Sequence, residues 1–169
     1  MSNYPIEEIR SRFPGLTRRV NGHQAIFFDG PGGSQSPESV GEAVKHYLLH
    51  QNSNVGMSFA TSKETDELIE QTMVACADFL GCTDHREIVF GQNMTSLTIQ
   101  LASALSRTWG PEDEVVVTRS DHDANVRPWV LAAQWSGAKL KWIDINPTDC
   151  THSIESIEQN INENTVIVA

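Results

Sequence analysis

Cysteine is scarce, three of 169 residues. Cys76, Cys82 and Cys150 are odd in number and form no CxxC pair, which argues against both a disulfide framework and a zinc site. Cys76 falls on the apolar face of an expected helix and Cys82 just past its end, so both read as buried or incidental thiols. Cys150 lies in a polar loop, and the sequence places no base beside it. No stretch approaches the roughly 20 apolar residues of a membrane span, and the opening MSNYPIEEIRSRF is too charged for a signal peptide. Basic residues are scattered apart from Arg18 and Arg19, and the formal net charge is -10. There is therefore no phosphate-tracking stripe, and a nucleic-acid partner is not expected. Neither GxGxxG nor GxxxxGK followed by Ser or Thr occurs, which weighs against a nucleotide-binding domain. His46 and His50 are spaced i, i+4, but no carboxylate completes an HExxH pattern, so they read as a solvated helix face rather than metal ligands. The expectation is a soluble, cytoplasmic chain; at 39% hydrophobic content it is long enough to bury a core.

What is present is an alternation of helix and strand patterns. Ile6, Ile9 and Arg10 fit a short helix ended by Pro14 and Gly15, Arg18 to Gly22 reads as loop, and Ala25 to Phe28 as a short strand. Asp29 to Pro37, DGPGGSQSP, holds three glycines and two prolines and forces an irregular path. Ser36 suits an N-cap and Pro37 the first helical position. Val40, Ala43, Val44, Tyr47 and Leu48 mark the apolar face of a helix over 37–50, and Gln51 to Ala60 is a polar loop. Thr61 and Glu64 match capping-box spacing at the head of a long helix. Leu68, Ile69, Thr72, Met73, Cys76, Phe79 and Leu80 share one face of it, and Gly81 ends it. Glu87 to Phe90 reads as a buried strand, with a helix bearing Leu97, Leu101 and Leu105 after it. Val115 to Thr118 is β-branched without alternation, the pattern of a strand covered on both faces. Trp129, Val130, Ala132 and Ala133 lie in a helix closed by Gly137; Leu140 to Ile143 is a strand, Ile154, Ile157 and Ile161 mark a helix, and Thr165 to Ala169 begins a strand. This order predicts a parallel α/β sheet in one globular unit. The apolar, β-branched TVIVA at the end leads to the expectation of a longer protein of which this is the front part.

In such sheets ligands bind beyond the carboxyl ends of strands. Two segments occupy that place. In Gly91 to Ser96, Thr95 and Ser96 enter the first turn of a helix, where free N–H groups and the dipole favour an anion. Plain capping by Asn93 or Thr95 is the bland alternative. In Ser120 to Asn125, His122 sits just past a strand end, where an imidazole can stack on a flat heterocycle or move a proton. A metal cluster of Asp121, His122 and Asp123 is disfavoured, because adjacent residues in an extended loop point apart.

Taken together, FFDGPGGSQSP, EIVFGQNMTSLT and DEVVVTRSDHDANVRPW, in this order and spacing, resemble the front half of class V aminotransferase-fold pyridoxal-phosphate enzymes, nearest a cysteine desulfurase-like subgroup. The resemblance runs from about Phe27 to Ala169. It implies a three-layer α/β large domain with a mainly parallel sheet, here truncated before completion, with 1–26 as an N-terminal arm and 27–169 as the front of the cofactor domain. It implies pyridoxal 5'-phosphate as cofactor, an amino acid as substrate, and a homodimer at full length. Residue by residue, Thr95 and Ser96, with Asn93 beside them, match the phosphate-holding turn. His122 matches the histidine that stacks on the cofactor ring, and Gly32 and Gly33 fall in the loop that approaches the substrate carboxylate.

Departures are equally specific. Val55, Gly56 and Met57 stand where desulfurases and selenocysteine lyases commonly carry a His-Arg pair, and Ser96 stands where an acidic residue is frequent. The family's cofactor-binding lysine, the aspartate that pairs with the ring nitrogen, and the nucleophilic cysteine all lie beyond the equivalent of Ala169. Lys45, Lys63, Lys139 and Lys141 lack the Ser-x-His-Lys context of the first. These 169 residues alone are expected to be catalytically incompetent. The rival expectations are a non-catalytic remnant or association module and, within the family, a transaminase or an epimerase.

Overall fold

A computed structural model describes residues 4–169. Rather than the single globular unit expected, the chain divides into two compact units, Met1–Ile88 and Val89–Ala169.

In the first unit, α1 (Ile6–Ser11) is followed by a 3-10 turn at Pro14–Thr17. The segment expected to be loop contains a two-stranded antiparallel hairpin, β1 (Arg19–Val20) and β2 (His23–Gln24). Asn21 and Gly22 supply its two positive φ angles, 50° and 80°. That is the Asn-Gly pairing a tight hairpin turn requires. Ala25 to Phe28, expected to be a strand, is not one: it has no ladder partner, and Phe28 is 95% exposed. α2 (Glu38–His50) begins one residue later than the spacing suggested, with Pro37 in extended conformation at the N-cap and no side-chain cap from Ser36. The Glu38 N–H is bonded instead to the Arg12 carbonyl.

α3 spans Ala60–Leu80. The Thr61–Glu64 capping box does not form, because the helix already begins at Ala60 with Phe59 as N-cap. The Ser62 hydroxyl reaches back to accept the Met57 N–H at 2.8 Å. Gly81 ends the helix at φ 74°. The Cys82 N–H returns to the Ala77 carbonyl at 2.9 Å, a Schellman closure that only a left-handed residue allows without strain. The expected apolar faces are largely uncovered: Val40, Val44, Leu48, Leu68, Ile69, Phe79 and Leu80 are exposed, and the residues buried along α3 are Ser62, Thr65 and Ala77. Tyr47 Oη lies 3.3 Å from Thr65 Oγ1, joining α2 to α3 through polar atoms.

The expected strand Glu87 to Phe90 is also absent. Asp84 and Glu87 form a reciprocal capping box that winds His85–Glu87 into a 3-10 turn, and Val89 and Phe90 are 73% and 51% exposed. A capping box at the head of the segment satisfies its amides locally and removes them from any ladder.

The second unit holds α4 (Met94–Leu105), β3 (Glu114–Thr118), α5 (Asp123–Ser136), β4 (Lys139–Ile143), α6 (Ile154–Asn160) and β5 (Thr165–Val168). The sheet order is β4-β3-β5 and both pairings are parallel, as the alternation predicted. β3 is central. Val115, Val116 and Val117 are completely buried, and successive side chains point to opposite faces, so the strand is covered on both sides. Val115 and Val117 join Ala102 of α4 and Val126, Trp129, Ala132 and Ala133 of α5 in one core. Each such valine contributes about 1.5–3 kcal/mol relative to exposure. At the start of β3 the buried Glu114 carboxylate meets the Lys141 ammonium at 2.5 Å and accepts from Asn162 Nδ2 at 2.8 Å. Among the described residues, no helix is long and apolar enough to cross a membrane.

Candidate cofactor site

The α4 turn is shaped by Gly91 and Asn93. A Cβ at Gly91 would lie 2.5 Å from Leu97 Cγ, so the chain turns directly beneath the first apolar side chain of the helix. Asn93, with extended backbone, caps α4: its Oδ1 accepts the Ser96 N–H at 2.9 Å, and its carbonyl accepts the Leu97 N–H. Of the two capping candidates, Asn93 therefore fills that place. The N–H groups of Met94 and Thr95, the Thr95 hydroxyl and the Asn93 Nδ2 have no acceptor among the described residues. Thr95 is exposed and Ser96 half-buried. These four donors lie in the cap and first turn of a twelve-residue helix, at the positive end of its dipole.

His122 is the N-cap of α5. Its Nδ1 accepts the Ala124 N–H at 3.0 Å. An N–H can only donate, so Nδ1 carries the lone pair, and the proton of the neutral ring sits on Nε2. The backbone that carries the ring is braced. Asp121 Oδ1 accepts the His122 N–H at 2.6 Å, Asp121 Oδ2 accepts from Asn125 Nδ2 at 2.6 Å, and Asn125 Oδ1 accepts from the buried Trp129 Nε1 at 3.2 Å. The Asn125 amide, and after it the His122 N–H, hold the Asp121 carboxyl below the usual aspartate range. This chain of bonds was missed in the sequence, where Asp121 drew attention only as a metal candidate. The readable signal was the i, i+4, i+8 spacing of Asp121, Asn125 and Trp129.

Thr95 and His122 are brought together. Both line a cleft of about 240 Å³ in the second unit, whose walls include Ile99, Pro128 and Leu131 and whose charged side chains are Asp123 and Arg127. Arg127 is a second residue that the sequence did not single out. Asn93 and Ser96 share the turn but do not line the cleft. Gly32 and Gly33 belong to the first unit, in a 3-10 turn at Gly30–Gly32 with Gly33 at φ 153°. The Val55–Met57 segment is tied to α3: the Gly56 N–H bonds the Asp66 carboxylate at 3.0 and 3.2 Å. A larger groove of about 480 Å³, lined by Arg10, Leu16 and the Gln24 to Phe28 segment, contains none of the expected site residues. His46 and His50 lie ring against ring, centroids 5.0 Å apart.

The family model of class-V aminotransferases matches residues 26–169. A probable cysteine desulfurase of Streptomyces coelicolor is 31% identical over 170 residues, covering 96% of this chain and 40% of that protein. Among solved structures, the apo cysteine desulfurase of Thermococcus onnurineus NA1 superposes with a TM-score of 0.82 at 28% identity, covering 96% of this chain and 38% of that one. A C-DES mutant with glycine covalently linked to its PLP cofactor shares the fold, with a TM-score of 0.74 at 20% identity over 94% of this chain and 39% of its own. The chain spans about 40% of the length of these relatives. With a family match over most of its length and an α/β parallel sheet of the same fold, the chain belongs to the class-V aminotransferases, and it is similar to cysteine desulfurases among them.

Proposed function

We propose that this chain supplies the phosphate grip and the ring-stacking wall of a pyridoxal 5'-phosphate site in a cysteine desulfurase or lyase-like enzyme. The observation that carries this reading is that Thr95 and His122 open onto one cleft. The residues present suit the cofactor: an anion meets unpaired donors of Asn93, Met94 and Thr95 at a helix N-terminus, and a planar ring meets an imidazole whose tautomer is fixed by a backbone amide. When bound, the cofactor supplies an electron sink for a carbanion at the α-carbon of an amino acid. Thr95 and Ser96 anchor the phosphate and so set the depth of the ring. His122 lies against the ring face and holds a proton at Nε2, ready for transfer at the reacting carbon. By the family resemblance Gly32 and Gly33 are assigned to the substrate carboxylate, residues 27–169 to the front of the cofactor domain and residues 1–26 to an N-terminal arm. At full length the protein works as a cytoplasmic homodimer.

The chain alone is inactive in this reading. Lys45, Lys139 and Lys141 are paired with Glu42, Glu112 and Glu114, and among the described residues no lysine, Lys63 included, lines the cleft where the covalent link to the cofactor would form. The test is to mix the chain with pyridoxal phosphate, reduce with borohydride and map adducts by mass spectrometry. A lysine modified in stoichiometric yield overturns the inactivity. A version extended to the length of its relatives should bind the cofactor, and should bind it at least tenfold more weakly as Thr95→Ala with Ser96→Ala. An extended version that binds none overturns the assignment.

A second reading, an association module without catalysis, draws on the exposed apolar positions Val40, Val44 and Leu48 and on Val166 and Val168 of the edge strand β5. Size-exclusion chromatography separates the two readings: aggregation or association with unlike chains favours the module, a defined dimer the enzyme.

A further inference from the structure

A second constellation lies at the carboxyl ends of β3 and β4. The strands stop at Thr118 and Ile143, but the Arg119 N–H still donates to the Ile143 carbonyl. Ser120 and Asp144 therefore leave the sheet side by side. The loop after Asp144 closes on itself, with Asn146 N–H to the Thr151 carbonyl and Cys150 N–H to the Asn146 carbonyl, both at 2.8 Å. That closure returns His152 to the strand ends. His152 Nδ1 lies 3.1 Å from the Asp144 carbonyl oxygen, and His152 Nε2 lies 2.6 Å from Ser120 Oγ. A carbonyl only accepts, so Nδ1 holds the proton and Nε2 turns its lone pair to the serine hydroxyl. Nucleophile, base and orienting acceptor then stand in sequence, each within hydrogen-bond reach of the next.

Two further features complete the arrangement. The N–H groups of Ser120 and Asp121 have no acceptor among the described residues, which leaves two backbone donors beside the serine free to receive developing negative charge. Arg119 fixes the neighbouring strand end: its Nε bonds Asp144 Oδ1 at 2.5 Å, and its guanidinium lies 4.6 Å from the centre of the Trp142 ring. Beside the pair runs an open groove of about 320 Å³ lined by Thr118, Arg119, Asp121, Asp123, Val126 and Trp142. Ser120 is exposed and His152 half-buried, so a reagent can reach the hydroxyl.

We propose that Ser120 is an acyl-accepting nucleophile activated by His152, taking small carboxylic esters with a good leaving group, such as aryl acetates. Ser120 Oγ bonds to the ester carbonyl carbon while its proton passes to His152 Nε2. The carbon–oxygen bond to the aryl group then breaks, and the phenol departs with that proton, leaving acyl-Ser120. Water, deprotonated by the same nitrogen, releases the carboxylic acid and restores the hydroxyl.

The test treats the 169-residue chain with p-nitrophenyl acetate, follows p-nitrophenol release, and maps the acetyl group by peptide mass spectrometry. The acetyl group is expected on Ser120, absent in Ser120→Ala, and formed roughly a hundredfold more slowly in His152→Asn. Asparagine can keep the bond to the Asp144 carbonyl but offers no base at the Nε2 position. His152→Gln serves as a second variant, with circular dichroism checking the fold of each. Mapping on the unaltered chain needs no variant at all. Acetyl only on lysines or on the His152 ring, no acetyl at all, or undiminished labelling of Ser120 in folded His152→Asn or His152→Gln each overturns the proposal.

Discussion

Asn125 donates its side-chain amide to Asp121 at 2.6 Å and accepts from the buried Trp129 indole at 3.2 Å. The loop that presents His122 is thereby tied to the core through two side chains one helical turn apart. Asp121→Ala removes the carboxylate that anchors both Asn125 and the His122 amide. The expected cost is about 1 kcal/mol, because the group is exposed and water replaces part of the loss. Urea denaturation reads the stability, and the His122 ring proton resonance should broaden in the variant. An unchanged resonance would mean that the brace does not orient the ring.

Gly91 lies where a side chain would overlap Leu97. Gly91→Ala must displace either the turn or the first packed side chain of α4, at a cost of about 1–3 kcal/mol. Thermal unfolding by circular dichroism checks this. A variant as stable as the parent would show that Leu97 has room to move.

Asn93 caps α4 through Oδ1. Asn93→Ala should destabilise by about 1 kcal/mol, and Asn93→Asp by much less, since a carboxylate keeps the acceptor and suits the helix dipole. In an extended, cofactor-binding version the order should reverse for affinity, because a negative charge at this end repels a phosphate. Paired denaturation and cofactor titrations decide the point; equal affinity for the two variants would remove phosphate from this turn.

Glu114 gives the pH dependence. The Lys141 ammonium, opposed by partial burial and helped by the Asn162 amide, holds its carboxyl below the ordinary value of 4.5. Between the folded and unfolded values the unfolded chain binds more protons, so stability rises with pH there. The contribution is whole above about pH 4.5 and is lost as pH falls through the depressed folded value. Glu114→Gln should flatten this part of the stability profile below pH 4.5. Parallel acid titrations with the same slope for both proteins would contradict it.

The second unit was legible because its signals are local and redundant. Val115–Val117 is a β-branched run, Gly137 at φ 79° closes α5, and Leu140 to Ile143 falls within β4. His122 was singled out from its place after a strand end and Thr95 from its place in the first turn of a helix, both alongside ordered motif matches; the strand expected before Thr95 does not form. The first unit was harder. Asn21–Gly22 turns a hairpin of only two residues per strand, too short to carry an alternation pattern. Ile88 to Phe90 has strand composition, but the capping box before it decides the backbone, and composition carries no information about a missing ladder partner. The Ser120–His152 contact joins residues 32 positions apart, and no periodicity links them.

The Glu114, Lys141 and Asn162 cluster sits at the start of the sheet, whereas His122 and Ser120 lie past its far end. Four strand residues, Val115 to Thr118, lie between Glu114 and that end, about 13 Å. At that spacing substitutions act independently. The upper loops of this unit can therefore be diversified for new chemistry without drawing on the charges that keep its strands together.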